Sequence, residues 1–358
     1  MRLEKTVAVL ASLSALVVVG FTGYSIRQVN SAQNIDREGH ITDRYMAAVE
    51  LLGNQGSEEV RLGGLYGLQR VMQDSPRDQP TVINVISTYI RAHSPKQEPH
   101  ASEKALGSDL TAALTVLGYR DSRNDGNAHV DMHDTDLHGA QLNEANLARA
   151  DLTSATLTGT NLNRANLDHA NLDHANLTDA DLYHADLTFA ELNDARLTNA
   201  RLGDAYLNRA DLDRATLTSA NLNLAKLKEA RLEDAHLNGA EMEDADLTEA
   251  YLYKADLTGA NLHAANLPGA SLRDAHLNNA DLSYAVLANA DLRGATLSCT
   301  RLYGADLQSL HIRREQLMSA GIDATTVLPP HLAADPQLKT KAASKAMPKG
   351  CKDPAPGT

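Results

Sequence analysis

The stretch ANLDHANLDHANLTDADLYHADLTFA, residues 165–190, returns to the same residue types every five positions. Followed outward in both directions, the phase never breaks between Leu137 and Leu307. Each of those 35 units carries Leu at the same place, with Met242 the one exception. Ala stands two residues earlier from Ala140 onward, except at Thr160 and Thr300. The consensus is Ala, then Asp or Asn, then Leu, then two variable residues.

A period of five fits neither regular element. On an α-helix five residues advance about 500°, so successive leucines step ~140° round the axis and no apolar stripe forms. On a strand an odd period throws successive leucines onto opposite faces. The pattern is satisfied only if the chain turns after each unit. Each unit is then one side of a coil, with its Leu and Ala inward, and four sides close a square of about 20 residues. The units make almost nine coils, roughly 42 Å of rod at the ~4.8 Å spacing of neighbouring strands. The absence of Trp and the presence of only Phe21 and Phe189 agree with a core filled by smaller side chains. Each coil bonds to the coils above and below, so only the two ends expose edges, and edges call for covers.

This pattern resembles the pentapeptide-repeat proteins. The resemblance implies a mainly β chain built on a right-handed quadrilateral β-helix. The flanking segments ITDRY (41–45), RLGGLYGLQRVMQDSPRDQP (61–80) and REQLMSAGIDATTVLP (314–329) are similar to those accompanying such repeats in membrane-associated actinobacterial members.

Upstream, Thr6–Ile26 is 21 residues without a charge, long enough to span a bilayer. It predicts an N-terminal transmembrane anchor and a single-pass protein of the cell membrane, with a cleaved signal peptide the rival reading. The flanking Lys/Arg nearly balance and leave the side of the rod open; the family resemblance leans towards the cytoplasm. Helical spacing with glycine and proline stops predicts four short helices between about 36 and 118. Ser57 and Ser108 are the candidate caps of the second and fourth. The domains read as the anchor over 1–30, an α-helical region over 31–125, the solenoid over 126–310, a capping segment over 311–332 and a disordered basic tail over 333–358. Cys299 and Cys351 are too few for a disulfide framework.

No nucleophile elbow, phosphate loop, dinucleotide glycine motif or zinc-protease motif is present. A rod filled by Leu and Ala has no cleft for a substrate. The chain therefore reads as non-enzymatic, without cofactor or metal. His129–Asp134 reads as a polar loop leading into the first coil, and the column His236, Asp256 and His276 as surface. Arg61, Tyr66, Arg70, Arg77 and Asp78 read as a solvated face rather than a docking surface.

All of the net charge of −13 falls on residues 135–310, so direct binding to nucleic acid is not expected. The acidic candidates for partner binding form two groups. One is Asp151, Asp173, Glu191, Asp194, Asp211 and Asp213 on the side that contains Leu152. The other is Glu241, Glu243, Asp244, Asp246 and Glu249 near one level of the rod. The expected function is a membrane-tethered scaffold for an unknown protein partner, with a homodimer left open. The alternative is an acidic DNA mimic: some members of the family resemble duplex DNA and bind DNA gyrase.

Overall fold

The computed structural model describes residues 32–94, 105–345 and 347–351. The predicted span Thr6–Ile26 lies outside them. Among the described residues no helix is long and apolar enough to cross a membrane. The expectation of a single-pass membrane protein is corrected on that ground.

The coil emerges from the hydrogen bonds of one unit. Residue 166, just before Leu167, makes a parallel bridge to residue 186, 20 positions on. Such bridges run in four files along the rod, each a single residue wide, so no extended strand forms among the described residues. All five N–H groups of the unit find acceptors. Asn166 N–H donates to Ala145 O of the coil before, while Leu167 and His169 donate to Asp186 O and Thr188 O of the coil after. Ala170 N–H closes the turn on Leu167 O at 2.9 Å. Asp168 N–H donates to the Asn166 side chain at 3.0 Å. That last bond explains the Asp/Asn consensus, because a short side-chain acceptor two residues back satisfies the one donor that neither the turn nor the stack reaches.

The second residue after each Leu takes a left-handed conformation in every unit from Asp134 to Gly304. Only seven of those 35 residues are glycine; Phe189 and Leu224 are among the others. The conformation costs about 1–2 kcal/mol for a residue with a Cβ. The N–H bond to the next coil, unbroken from Asp134 to Tyr284, offsets it. Turns here thus accept many more residue types than the Asn, Asp, Thr and Gly that turn chemistry predicts.

Leu and Ala point inward throughout, nearly all of them fully buried. The two departures from Ala are accommodated by hydrogen bonds: the buried Thr160 and Thr300 hydroxyls donate to Leu137 O and Leu277 O. The solenoid begins one unit earlier than its leucines suggest. Val130 and Met132 occupy the Ala and Leu places, fully buried, and Asp131 pairs with Asp151. His129–Asp134 is therefore mostly the first side of the coil rather than a loop, and Met132, five residues before Leu137, is the signal.

The N-terminal edge is covered by α1 (Ala32–Leu52), α2 (Glu58–Asp74), α3 (Gln79–His93) and α4 (Ser108–Gly118). Asp136 N–H donates to Ser94 O, and Asn146 N–H to Gly118 O, at 2.8 and 2.7 Å. These two donors of the first coil thus end on the residue that caps α3 and on the last residue of α4. Ser57 caps α2 as expected. Ser108 does not cap α4. Its N–H and that of Asp109 instead donate to the Glu58 carboxylate of α2.

At the other end Gly321 and Val327 pair with Arg301 and Asp306 as a partial further coil. The Gln316 amide, on α5 (Arg314–Ser319), donates to Leu292 O and Ala295 O. The tail predicted to be disordered from residue 333 carries α6 (Pro336–Ser344), whose Leu338 is fully buried. Cys351 then joins Cys299 in a disulfide across 52 residues. The two cysteines, which composition leaves unconnected, close the C-terminal cap.

Two measurements check this account. Leu207→Ala removes a fully buried rung and is expected to cost about 3 kcal/mol, read by chemical denaturation. Native protein is expected to gain no mass with an alkylating agent, and two alkyl groups after reduction and unfolding. Closing a loop of that length contributes about 4 kcal/mol in the chain-entropy account, so Cys351→Ser is expected to open the cap to proteolysis before the coils.

Candidate functional site

The predicted acidic residues separate into two kinds. On the side containing Leu152, Asp194 meets Arg214 at 2.8 Å, and Asp211 and Asp213 both meet Arg231, at 3.5 and 2.5 Å. The Arg214 hydrogen bond holds the Asp194 carboxyl below its ordinary value. Asp173 accepts from the backbone and side chain of Asn193. Asp151 accepts from Thr153. Glu191 is exposed and has no ion pair among the described residues. Most of this group is thus tied into the stack or neutralised by arginine.

The second group is different. Glu241, Glu243, Asp244 and Glu249 are exposed, and Asp246 is half-buried. None of the five has a salt-bridge partner among the described residues. Glu241 accepts from Asn261 at 2.8 Å, and Asp246 from Thr248 and Asn266. Burial would raise the Asp246 carboxyl, but those bonds and the nearby Lys226 hold it below its ordinary value. Five carboxylates on two adjoining sides at one level leave a concentrated negative field.

Asp131, His133 and Asp151 come together, with ligand atoms within 4.8 Å of one another. The Arg91 guanidinium is bound to Asp131, and His133 Nδ1 lies 2.6 Å from the same carboxylate. A protein cation therefore already offsets this cluster. His236, Asp256 and His276 line a shallow groove of about 610 Å³ with Asp194, Arg214, Asp234 and Lys254, whose charges alternate along one corner.

The helical residues singled out in the sequence are mostly structural. Arg61 bonds Asp109 at 2.7 Å and Tyr89 at 3.0 Å, and the Tyr89 hydroxyl donates to Asp109 at 2.5 Å. Arg77 pairs with Glu38, Arg70 with Asp74, and Asp78 accepts from Ser75. Tyr66 stays exposed. Arg120, not singled out, is buried and donates to Leu117 O and Asn146 O, joining α4 to the first coils.

Sequence reasoning also missed two surface features. Thr158, Thr178, Thr198, Thr218, Asn238, Thr258, Asn278 and Ser298 form one file of small hydroxyls and amides. It lies on the side containing Leu137. The corner between the sides of Leu142 and Leu147 instead carries exposed apolar residues. Both features are visible once the sequence is written out in rows of 20.

A family model for pentapeptide repeats matches in eight copies, spanning residues 131–308. Proteins of that family form right-handed β-helices, which agrees with the coil described above. The solved structure of HetL from the cyanobacterium Nostoc sp. strain PCC 7120, a pentapeptide-repeat protein involved in heterocyst differentiation regulation, is 36% identical. The match covers 56% of this chain and 86% of HetL, with a TM-score of 0.51. Rfr23 from the cyanobacterium Cyanothece 51142 is 33% identical over 33% of this chain and 63% of its own, with a TM-score of 0.24. QnrB1, a plasmid-mediated fluoroquinolone resistance protein, is 16% identical over 57% of this chain and 94% of its own, with a TM-score of 0.26. No curated protein matches the sequence.

The Arg61–Tyr89–Asp109 network gives a prediction. Burial would raise the Asp109 carboxyl, but the bonds from Tyr89 and Arg61 outweigh it and hold it below its ordinary value. A depressed folded-state value contributes stability above the unfolded value of about 3.9 and loses it as pH falls through the folded one. Asp109→Asn is expected to cost about 3 kcal/mol at pH 7, because it leaves Arg61 unpaired. The gap from wild type should narrow only in acid below pH ~4, read by denaturation across pH.

Proposed function

This chain belongs to the pentapeptide-repeat family, and from that premise we propose that it is a non-catalytic scaffold whose rod presents a rigid polar surface to a protein partner. The observation that carries the reading is the interior. Leu and Ala fill it along its whole length, and its outward side chains are the only chemistry on offer. A rod of this kind keeps surface groups in fixed files at ~4.8 Å steps, which suits recognition rather than turnover. HetL, the similar structure at 36% identity, is described by a regulatory process.

The DNA-mimic reading has less support. A duplex carries one charge per ~1.7 Å, or about 25 over the length of the rod. The rod nets −13, and arginines neutralise much of its most acidic side. A disulfide that uses both cysteines also favours an oxidising compartment, away from the enzymes that act on DNA.

The test is a pair of assays on the full chain. Chemical cross-linking in its native cells followed by purification should give a discrete complex at fixed stoichiometry, reproduced from the purified components. Added to a DNA gyrase supercoiling reaction at micromolar concentration, the protein should leave the rate unchanged. A chain that is monomeric and alone in cells sinks the scaffold reading, and inhibited supercoiling reinstates the DNA mimic.

A further inference from the structure

Exposed apolar side chains are unevenly distributed over the rod. Residues 186, 206, 226, 246, 266, 286 and 306 pair in sequence as one file. The left-handed turn residues 184, 204, 224, 244, 264 and 284 form the corner file beside it. Tyr206, Leu224, Tyr284 and Val286 stand on these two files and are 44–59% exposed. The hydroxyl file on the side containing Leu137 has no such residue. Isolated surface apolars need no explanation, but four along one corner do.

Between the two apolar pairs lies charge. Asp244 and Asp246 occupy the same two files, flanked by Glu241, Glu243 and Glu249. Lys226, one coil before Asp246, makes no ion pair with it. Along the corner the order is apolar, acidic, apolar, and Tyr206 and Val286 are four coils or ~19 Å apart. The Tyr284 anchor is held in place. Tyr284 lies against Gly304, where an added Cβ would strike its ring, and is edge-on to His263 at 5.4 Å. Tyr183, on the neighbouring file, lies over Gly203 in the same way. A fixed exposed aromatic beside carboxylates that have no salt-bridge partner among the described residues is the composition of an interface hot spot.

We propose that this corner is a docking surface for a protein partner that presents a Lys/Arg patch between two apolar contacts. The proposal rests on the scaffold reading and names its surface and the chemistry of its partner. The five carboxylates repel nucleic acid and anionic lipid. A second copy meeting this corner by two-fold symmetry would set acid against acid.

A photo-crosslinking amino acid placed in the full chain in its native cells tests it, at Tyr206 or Tyr284 on the corner and at Thr218 or Tyr251 elsewhere. The expected result is one protein captured from both corner positions and from neither of the others. Its cross-linked peptides, sequenced by mass spectrometry, should lie beside Lys or Arg. With that protein purified, Glu243→Lys/Asp244→Lys should weaken binding at least tenfold, and Glu191→Lys should leave it within twofold. Both variants should match wild type in thermal unfolding. Capture only from Thr218 or Tyr251 overturns the corner and leaves the scaffold reading standing. Capture from no position overturns both. Corner cross-links to a second copy, or equal weakening by Glu191→Lys, overturn the proposed partner chemistry.

Discussion

The structure depends on one arrangement, repeated from Asp134 to Tyr284: a turn residue held left-handed while its N–H reaches the next coil. An L-residue adopts that conformation only under compensation. A single pentapeptide lacks it, because the acceptor belongs to a residue 19 positions on, as when His169 donates to Thr188 O. Stability is therefore a property of neighbouring coils rather than of any unit. The ends are for the same reason the weak points. The first coil has no predecessor to take its donors, and the last has no successor to supply acceptors.

Both ends are closed by chain that does not follow the repeat, and by different means. The N-terminal helices bring backbone carbonyls at Ser94 and Gly118 to the waiting donors, and their apolar faces continue the core of the coils. The C-terminal segment imitates a coil as far as Val327, then covers it with α6 and fastens the cover through Cys351. The helices bury a substantial core of their own. The C-terminal segment is short, with Leu338 the one fully buried residue of α6, and a covalent tie compensates for the small area.

The sequence made the middle of the chain legible because every unit repeats the same solution. Leu137 to Leu307 could be assigned inward from spacing alone. The leucine pattern stops at Leu137 only because Met132 and Val130 replace Leu and Ala in the unit before it. The surface was less legible, since many ion pairs here join residues 18 or 20 apart, as Asp213 with Arg231 and Asp194 with Arg214. A net charge for a side does not show which acid meets which base, so the pairing of Asp194, Asp211 and Asp213 with arginines one coil away was not visible. The disulfide was illegible for another reason. Cys351 comes after the last repeat by more than 40 residues, where no period fixes its position.

The same economy that makes the fold readable sharpens the functional argument. Of each five residues, the inward pair is set by packing and the Asp/Asn by its bond to the residue two on. The left-handed place is restricted only by its backbone. Nothing in the coil requires tyrosine at 206 or 284, leucine at 224 or valine at 286, since Lys226, Asp204 and Asn266 fill equivalent places elsewhere on the same files. Exposed apolar groups at such positions contribute little to folding and raise the risk of association. Their concentration on one corner, around acids that no arginine neutralises, is a cost the fold does not impose. A partner that covers them is the simplest physical reason for it to persist.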